Sequence, residues 1–305
     1  MSASPPATSA PPTVLTTNTL RACFWMLGAL ASFTTMAIAA RELTLGMSVV
    51  QALFFRSLIC VIILMPFAVI GGGGMFRRVA TQHPGLHLAR NCIHYFGQLG
   101  WVYAISLLPL AAVFSIEFTV PIWTAILAAI FLGEGFTRWR VIGVLMGFIG
   151  ILVIVRPGPE MLEAVESTKG TLAMVGAAVL YASVFVFTRH MAQTESPLTI
   201  IFWMNLIQLV IGVGPAIWFW VTPEPDSLPW IFLIGLGGLC SHWCVAHAMR
   251  HADAAVVAPM DFIRLPLIAV IGYVFYSEPW NPFILIGGVT IFAGNMINLV
   301  GERRR

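Results

Sequence analysis

The amino-acid sequence predicts an all-α polytopic membrane protein, with ten transmembrane helices arranged as two inverted five-helix repeats. Three observations lead to this fold class. The 305 residues are 59% hydrophobic and only 10% charged, whereas about 25% of the residues of a soluble protein are charged. The apolar residues form ten runs, each close to the length of about 20 residues that a helix needs to cross a bilayer. The two halves of the chain also align with each other.

The ten predicted spans follow one another with short connections. The runs are too long and too continuous for the alternating strands of an outer-membrane barrel. The longest connections, 71–88 and 157–169, leave no room for a soluble catalytic domain. In chain order, the spans are residues 20–40, 47–70, 89–108, 111–132, 139–156, 170–190, 198–221, 229–249, 254–276 and 281–300.

The orientation is predicted from the distribution of basic residues. Residues 1–19 combine Pro, Ala, Ser and Thr without charge or apolar periodicity, which is typical of a disordered tail. With this tail in the cytoplasm, most of the 16 Lys and Arg residues fall on the cytoplasmic side, as the positive-inside bias requires. Residues 301–305 then form a basic cytoplasmic tail, and both termini lie in the cytoplasm.

Composition also argues against several classes of function. The formal net charge is only +3 and there is no long basic run, so no nucleic-acid partner is predicted. The five cysteines are scattered through apolar segments without CxxC or metal-ligand spacing, so we predict neither disulfides nor a metal site. A P-loop of the GxxxxGK[ST] type is absent, so ATP-driven transport by this chain alone is unsupported. We expect no cofactor.

The internal repeat joins residues 20–156 to residues 170–300. Glu117 aligns with Asp261 inside two of the most hydrophobic segments of the chain. Because each half has five helices, the second half enters the membrane from the opposite side, as in alternating-access carriers with inverted repeats. Further aligned pairs are Arg41 with Arg189, Glu134 with Glu278, Gly143 with Gly287, Gly150 with Gly294, and Pro66 with Pro215.

The two aligned acids are the first candidate site residues, because a carboxylate inside a lipid-spanning helix is costly unless it is paired or faces water. Glu117 and Asp261 either take up protons or hold a substrate amine, or they form structural ion pairs. Asp261 has Arg264 on its own helix face. Glu117 has no partner on its helix, so we expect it to pair with Arg56 or His94. Glu117 is therefore predicted to be the less neutralised acid and the better candidate for transport.

A polar stripe on the third span supplies further candidates. Asn91, His94, Tyr95 and Gln98 recur at helical spacing, and His242 aligns with Gln98 in the second half. In lipid such a stripe must face protein or water. The residues either line a polar path, where a histidine can relay protons near neutral pH, or hydrogen-bond between helices.

Arg56 lies within the second span, where an arginine must face a partner or a cavity. Its fork of donors suits a carboxylate or phosphate on a substrate. The alternative, which we slightly favour, is a tie to the fourth span through Glu117. The position aligned with Arg56 is Asn205, so a fully symmetric site is not expected. Asn205 and Gln208 are interpreted as packing contacts between helices.

Prolines and glycines predict how the spans bend and pack. Pro121 and Pro266 follow the paired acids by about one helical turn, so each is predicted to kink its span and to act as a hinge. Gly143, Gly150 and Gly287 suit close helix packing, and they are also compatible with a homodimer face.

Several segments resemble those of the EamA-type carriers in the drug/metabolite transporter superfamily. They are FFRSLI on the second span, AAVFSIEFTVPIWTAILAAIFLGE on the fourth and VIGVLMGFIGILVIVRPG on the fifth. The resemblance covers essentially all of residues 20–300. It implies a ten-helix fold, a bacterial inner-membrane location and movement of small metabolites, and it leaves the substrate open.

The function predicted from these observations is secondary transport, with the lipid bilayer and a small metabolite as partners. The substrate is predicted to be polar or amphoteric, such as an amino acid, a vitamin or a cofactor-like compound, moved by alternating access with proton coupling or exchange. An alternative is an uptake carrier for riboflavin or S-adenosylmethionine rather than an exporter. A remote alternative is an intramembrane enzyme, but no catalytic motif accompanies the polar residues.

Overall fold

The structure, a computed structural model, describes residues 19–69, 77–132, 137–155, 165–191, 194–252, 257 and 260–303. The predicted N-terminal tail 1–19 falls almost wholly outside these residues. Of the predicted C-terminal tail 301–305, Arg304 and Arg305 also fall outside them, and residues 301–303 are helical. The longer helices of the described part are α1 (Thr19–Gly46), α2 (Val49–Val69), α3 (Pro84–Leu107), α4 (Leu110–Glu117), α5 (Val120–Leu132), α6 (Arg138–Val155), α7 (Val165–Met191), α8 (Pro197–Trp218), α9 (Leu228–His251), α10 (Arg264–Tyr276) and α11 (Pro282–Arg303).

These helices agree with the all-α, ten-span prediction. Within the described residues, eight helical segments are long and apolar enough to cross a membrane, with α4 and α5 counted together as one segment. The other two predicted spans correspond to α3, which is 24 residues long and carries the polar stripe, and to α10, a shorter apolar helix. Boundaries shift in places: α1 continues to Gly46, and α7 begins at Val165 inside the predicted connection 157–169.

Helix packing follows the inverted repeat. The most extensive contacts join the two halves, with α1 against α9 and α3 against α7. These two interfaces are equivalents of each other, because α7 repeats α1 and α9 repeats α3. The α2 helix packs against its own counterpart α8, and α6 packs against its counterpart α11. The halves therefore face each other across a pseudo-two-fold relation, as expected for an inverted repeat.

Small residues bring α6 and α11 into close contact. A Cβ on Gly143 would lie 2.9 Å from the carbonyl oxygen of Gly294, and one on Gly150 would lie 2.7 Å from that of Gly287. Side chains at these positions would separate the two backbones. The repeated glycines therefore serve an interface within one chain, and a homodimer face built from them is not what the structure shows.

Both acid-bearing spans are interrupted immediately after the acid. In the first half, α4 ends at Glu117, residues 118 and 119 form a turn, and α5 begins at Val120. In the second half, Asp261 is helical, residues 262 and 263 form a turn, and α10 begins at Arg264. The sequence predicted kinks at the prolines. The structure shows an interruption just before each of them, in agreement with this prediction, because Pro121 lacks the N–H that would bond the carbonyl of Glu117.

One end of the bundle is tied together by Arg41, near the end of α1. Its guanidinium forms an ion pair with Glu278, just after α10. It also donates to the carbonyl oxygens of Ile105 and Leu108, the latter at 3.2 Å. The Glu278 carboxylate accepts from the N–H of Leu110 at 3.0 and 3.1 Å. The pair thus joins α1, the α3–α4 corner and the end of α10. The aligned acid Glu134 lies outside the described residues.

Candidate functional site

A buried arginine organises the first of two polar clusters. Arg56, on α2, is only 3% exposed. Its Nη2 donates to the side-chain carbonyl oxygens of Gln98 on α3, at 2.8 Å, and of Gln208 on α8. The amide nitrogens of the same glutamines face the His94 ring, at 3.4 Å for Gln98 and 3.1 Å for Gln208. We call Arg56, His94, Gln98 and Gln208 the arginine cluster.

The arginine cluster contains more hydrogen-bond donors than acceptors. Arginine can only donate, so the two glutamine carbonyls must turn towards Arg56 and their NH2 groups towards His94. A neutral imidazole accepts at only one ring nitrogen. In addition, among the described residues the Arg56 Nε has no hydrogen-bond partner and no carboxylate forms an ion pair with this arginine. The cluster is therefore positively charged and short of acceptors.

Two carboxylates share one guanidinium in the second cluster. The Nη2 of Arg264 lies 3.2 Å from Glu117 Oε1 and 3.3 Å from Asp261 Oδ2. The other oxygen of Glu117 accepts from the indole N–H of Trp101 at 2.7 Å, whereas the second oxygen of Asp261 has no partner among the described residues. We call Glu117, Asp261, Arg264 and Trp101 the acid cluster. With both carboxylates ionised, its net charge is negative.

Aromatic rings enclose the arginine of the acid cluster. The Cζ atom of Arg264 lies 4.5 Å from the ring centre of Phe33, 4.9 Å from that of Phe114 and 5.2 Å from that of Phe118. Ring faces at this distance attract cations. Phe118 belongs to the turn that interrupts the fourth span, so the break helps to form the aromatic surround of the cation.

The two clusters are neighbours along α3. His94, Gln98 and Trp101 recur at i, i+4 and i+7 and so share one face of the helix. Gln98 belongs to the arginine cluster and Trp101 belongs to the acid cluster. The rise along the helix between their Cα atoms is about 4.5 Å. The Tyr181 ring on α7 lies 5.6 Å from the His94 ring, on the helix that packs against α3. One face of α3 therefore contacts both clusters.

The structure corrects two predictions about Glu117. It does not pair with Arg56 or His94. Its partner is Arg264 on α10, and Arg56 instead donates to the glutamines. It is also not the less neutralised acid, since it receives Trp101 and Arg264 while Asp261 receives only Arg264. Sequence spacing identified the Asp261–Arg264 pair but could not show that the same guanidinium bridges both halves.

The remaining candidates divide between the clusters and their surroundings. Tyr95 is buried, yet its hydroxyl has no partner among the described residues. His242 contacts Phe33 edge-on at 6.1 Å and lies outside both hydrogen-bonded clusters. Sequence reasoning missed Trp101 as a donor and assigned Gln208 to packing. The position of Trp101, one turn beyond Gln98 on the polar stripe, was the signal that would have identified it.

Comparison with known proteins places these features in a family. The model of the EamA-like transporter family matches residues 20–156 and 168–300. The S-adenosylmethionine uptake transporter of Rickettsia bellii (strain RML369-C) is 25% identical over 280 residues, which cover 92% of this chain and 94% of that protein. The riboflavin transporters of Brucella anthropi and Vibrio cholerae are 28% and 26% identical, over 81% and 86% of this chain and 88% and 87% of their own lengths.

A solved crystal structure shares the fold. Its TM-score is 0.61 at 18% sequence identity, and the match covers 93% of this chain and 98% of that chain. At this identity the match supports the helical architecture alone. The side-chain clusters therefore have to be interpreted from this chain.

Proposed function

The chain belongs to the EamA-like transporter family, and we propose that it is a secondary transporter that carries a small polar or amphoteric metabolite across a bacterial inner membrane. The apolar helices make it a multi-pass membrane protein. The distribution of Lys and Arg supports a cytoplasmic location for both termini.

The observation that carries this proposal is the pair of interrupted spans at Glu117 and Asp261. Interrupted helices at matching places of an inverted repeat are how many carriers build a central site. Here the two breaks lie beside one guanidinium, Arg264, which contacts an acid from each half. Movement of one half against the other must strain or release this shared contact. The acid cluster is thus placed to couple a bound charge to alternating access.

The class of cargo is supported by the relatives and by the polarity of the site. Proteins named as S-adenosylmethionine uptake and riboflavin transporters match over most of their lengths. We propose uptake as the direction, and S-adenosylmethionine and riboflavin as the first compounds to test. Two carboxylates with one arginine leave room for one more positive charge, which a proton or a cationic substrate can supply.

Flux into proteoliposomes tests the proposal. The purified chain should take up labelled S-adenosylmethionine or riboflavin with saturation, and preloading with unlabelled compound should accelerate uptake by counterflow. Arg264→Gln should abolish this flux, whereas Arg250→Gln, at an exposed position near the end of α9, should leave it intact. Flux that neither saturates nor shows counterflow would indicate a channel. If neither compound is taken up, the proposed cargo is contradicted.

A further inference from the structure

We infer that the transported molecule is a zwitterion, whose carboxylate is bound by the arginine cluster and whose cation is bound at the acid cluster. The inference rests on the proposed transport function and specifies the substrate class of the same site. Its basis is that charge is not balanced within either cluster, while the two imbalances have opposite sign.

The arginine cluster contains a buried positive charge, and no described residue supplies its counterion. Gln98 and Gln208 orient the Arg56 guanidinium through carbonyl oxygens, but a neutral amide cannot cancel a full charge. Arg90, another buried arginine on α3, also has neutral partners, and it differs from Arg56 in that its Nε has an acceptor. Its Nε donates to Thr188 at 2.8 Å and its Nη1 to Asn91 at 2.6 Å. The Arg56 Nε, in contrast, has no acceptor, although such a group is costly to leave unsatisfied inside a protein.

A carboxylate supplies what this cluster lacks. It brings one negative charge and two oxygens with about four lone-pair sites. Arginine binds such a group with parallel N–H donors. The surplus NH2 group that faces His94 can also turn towards the incoming oxygens. A carboxylate therefore satisfies both the charge and the surplus donors, which an uncharged polar group cannot do.

The acid cluster has the opposite need. Glu117 and Asp261 carry two negative charges against the single positive charge of Arg264, and Asp261 Oδ1 has no partner in the described part of the chain. The rings of Phe33 and Phe118 already surround one cation, so the environment favours positive groups. An ammonium or a sulfonium that joins Asp261 would cancel the remaining negative charge.

The two clusters lie next to each other along α3. Gln98 and Trp101 belong to different clusters yet are neighbours on the same face of α3, with about 4.5 Å of helix rise between them. The proposal requires one molecule to contact both clusters, and an amino-acid moiety with an attached cationic group carries the two opposite charges that this needs. S-adenosylmethionine has a carboxylate, an ammonium and a sulfonium, whereas riboflavin is uncharged. The charges of this chain therefore favour the former.

Competition against labelled S-adenosylmethionine uptake in proteoliposomes tests this orientation. Unlabelled S-adenosylmethionine should inhibit uptake by the wild-type protein about 10- to 100-fold more tightly than its decarboxylated analogue, which is the effect of losing a charged hydrogen-bonded contact. Arg56→Gln should weaken the binding of S-adenosylmethionine by this factor, so that the two compounds bind with similar affinity. Asp261→Asn should weaken both alike, because both keep their cations.

Controls separate a binding role from a folding role. Arg90→Gln removes a buried arginine whose Nε and Nη1 already have acceptors, so the ratio of the two affinities should stay at the wild-type value. Arg56→Lys keeps the charge and should retain part of the ratio. The wild-type comparison needs no variant and stands even if Arg56→Gln does not fold.

Three results would overturn the inference. Equal affinity of the wild-type protein for both compounds would do so, as would an Arg56→Gln variant with an unchanged affinity ratio. Saturable uptake of riboflavin without S-adenosylmethionine uptake would leave the transporter proposal standing and reject the zwitterion. Absence of uptake for both compounds would reject the proposed cargo together with this inference.

Discussion

The two halves of the molecule place equivalent positions in different surroundings. Arg56 on α2 reaches across to glutamines on α3 and α8, whereas the aligned Asn205 donates to the carbonyl of Ile201 on its own helix at 2.8 Å. Glu117 receives donors from Trp101 and Arg264, but Asp261 receives only the arginine. The backbone breaks at both acids, while the side chains around the breaks differ.

This difference separates two requirements of an alternating-access protein. Exchange between two orientations needs a scaffold whose halves can swap roles, and the symmetric packing of α1 with α9 and of α3 with α7 provides one. Recognition of an asymmetric metabolite needs an asymmetric site. The repeat supplies the scaffold, and the departures from the repeat at Asn205 and Arg264 supply the asymmetry.

The largest expected effect comes from removing Arg264, which contacts an acid from each half. Arg264→Gln leaves two carboxylates facing each other without a cation, and breaking a buried ion pair by removing one partner costs about 3–5 kcal/mol. We expect transport to be lost and thermal unfolding in detergent to shift to clearly lower temperature.

A triple variant distinguishes charge from shape at this position. Combining Arg264→Gln with Glu117→Gln and Asp261→Asn removes all three charges, so much of the lost stability should return while transport stays absent. If the triple variant is no more stable than Arg264→Gln, the charges are not the cause of the loss.

The next effect tests the inequality of the two acids. Glu117→Gln weakens contacts with Trp101 and Arg264 at a side chain that is 18% exposed, whereas Asp261→Asn weakens one contact at a side chain that is 29% exposed. We expect about 2–3 kcal/mol of lost stability for the former and about 1 kcal/mol for the latter, on the scale of charged hydrogen bonds. Equal losses measured by thermal unfolding would contradict the asymmetry.

Much of the fold follows from the sequence for physical reasons. Apolar length determines the spans, because an unsatisfied backbone is excluded from lipid. The paired acids and glycines reveal the repeat, and the glycines predict close helix packing without identifying α6 and α11 as the partners. The prolines that follow the two acids predict where the spans bend. These features depend on residue type and spacing, which can be read along the chain.

The pairing of side chains could not be read in this way. Whether Glu117 meets Arg56 or Arg264 depends on the packing of helices that are far apart in sequence, and both cations are plausible partners by type. The role of Gln208 has the same origin. It is an ordinary packing residue on its own helix and becomes part of the site only because α2 and α8 are in contact.

A smaller effect is expected at the end of the bundle tied by Arg41. Glu278→Gln weakens the ion pair and the bonds to the N–H of Leu110, at a side chain that is 11% exposed. We expect a loss of about 1–2 kcal/mol. Thermal unfolding of Glu278→Gln beside Glu134→Gln compares the two acids that the repeat aligns. A large loss at only one position would show that the symmetry of the repeat does not extend to these acids.

The smallest expected change in stability concerns the interrupted spans. Pro121 is the second residue of α5, a place where proline is well tolerated. Pro121→Ala should therefore alter stability by less than about 1 kcal/mol.

Pro121→Ala also restores an N–H that can bond the carbonyl of Glu117 and so favours a continuous helix through the break. If the break moves during transport, the rate should fall several-fold at unchanged substrate affinity, in a proteoliposome assay with Pro66→Ala as the matched control. Pro266→Ala should act in the same direction in the second half. Unchanged rates in both variants would refute a mobile break and leave the interruptions as fixed parts of the site.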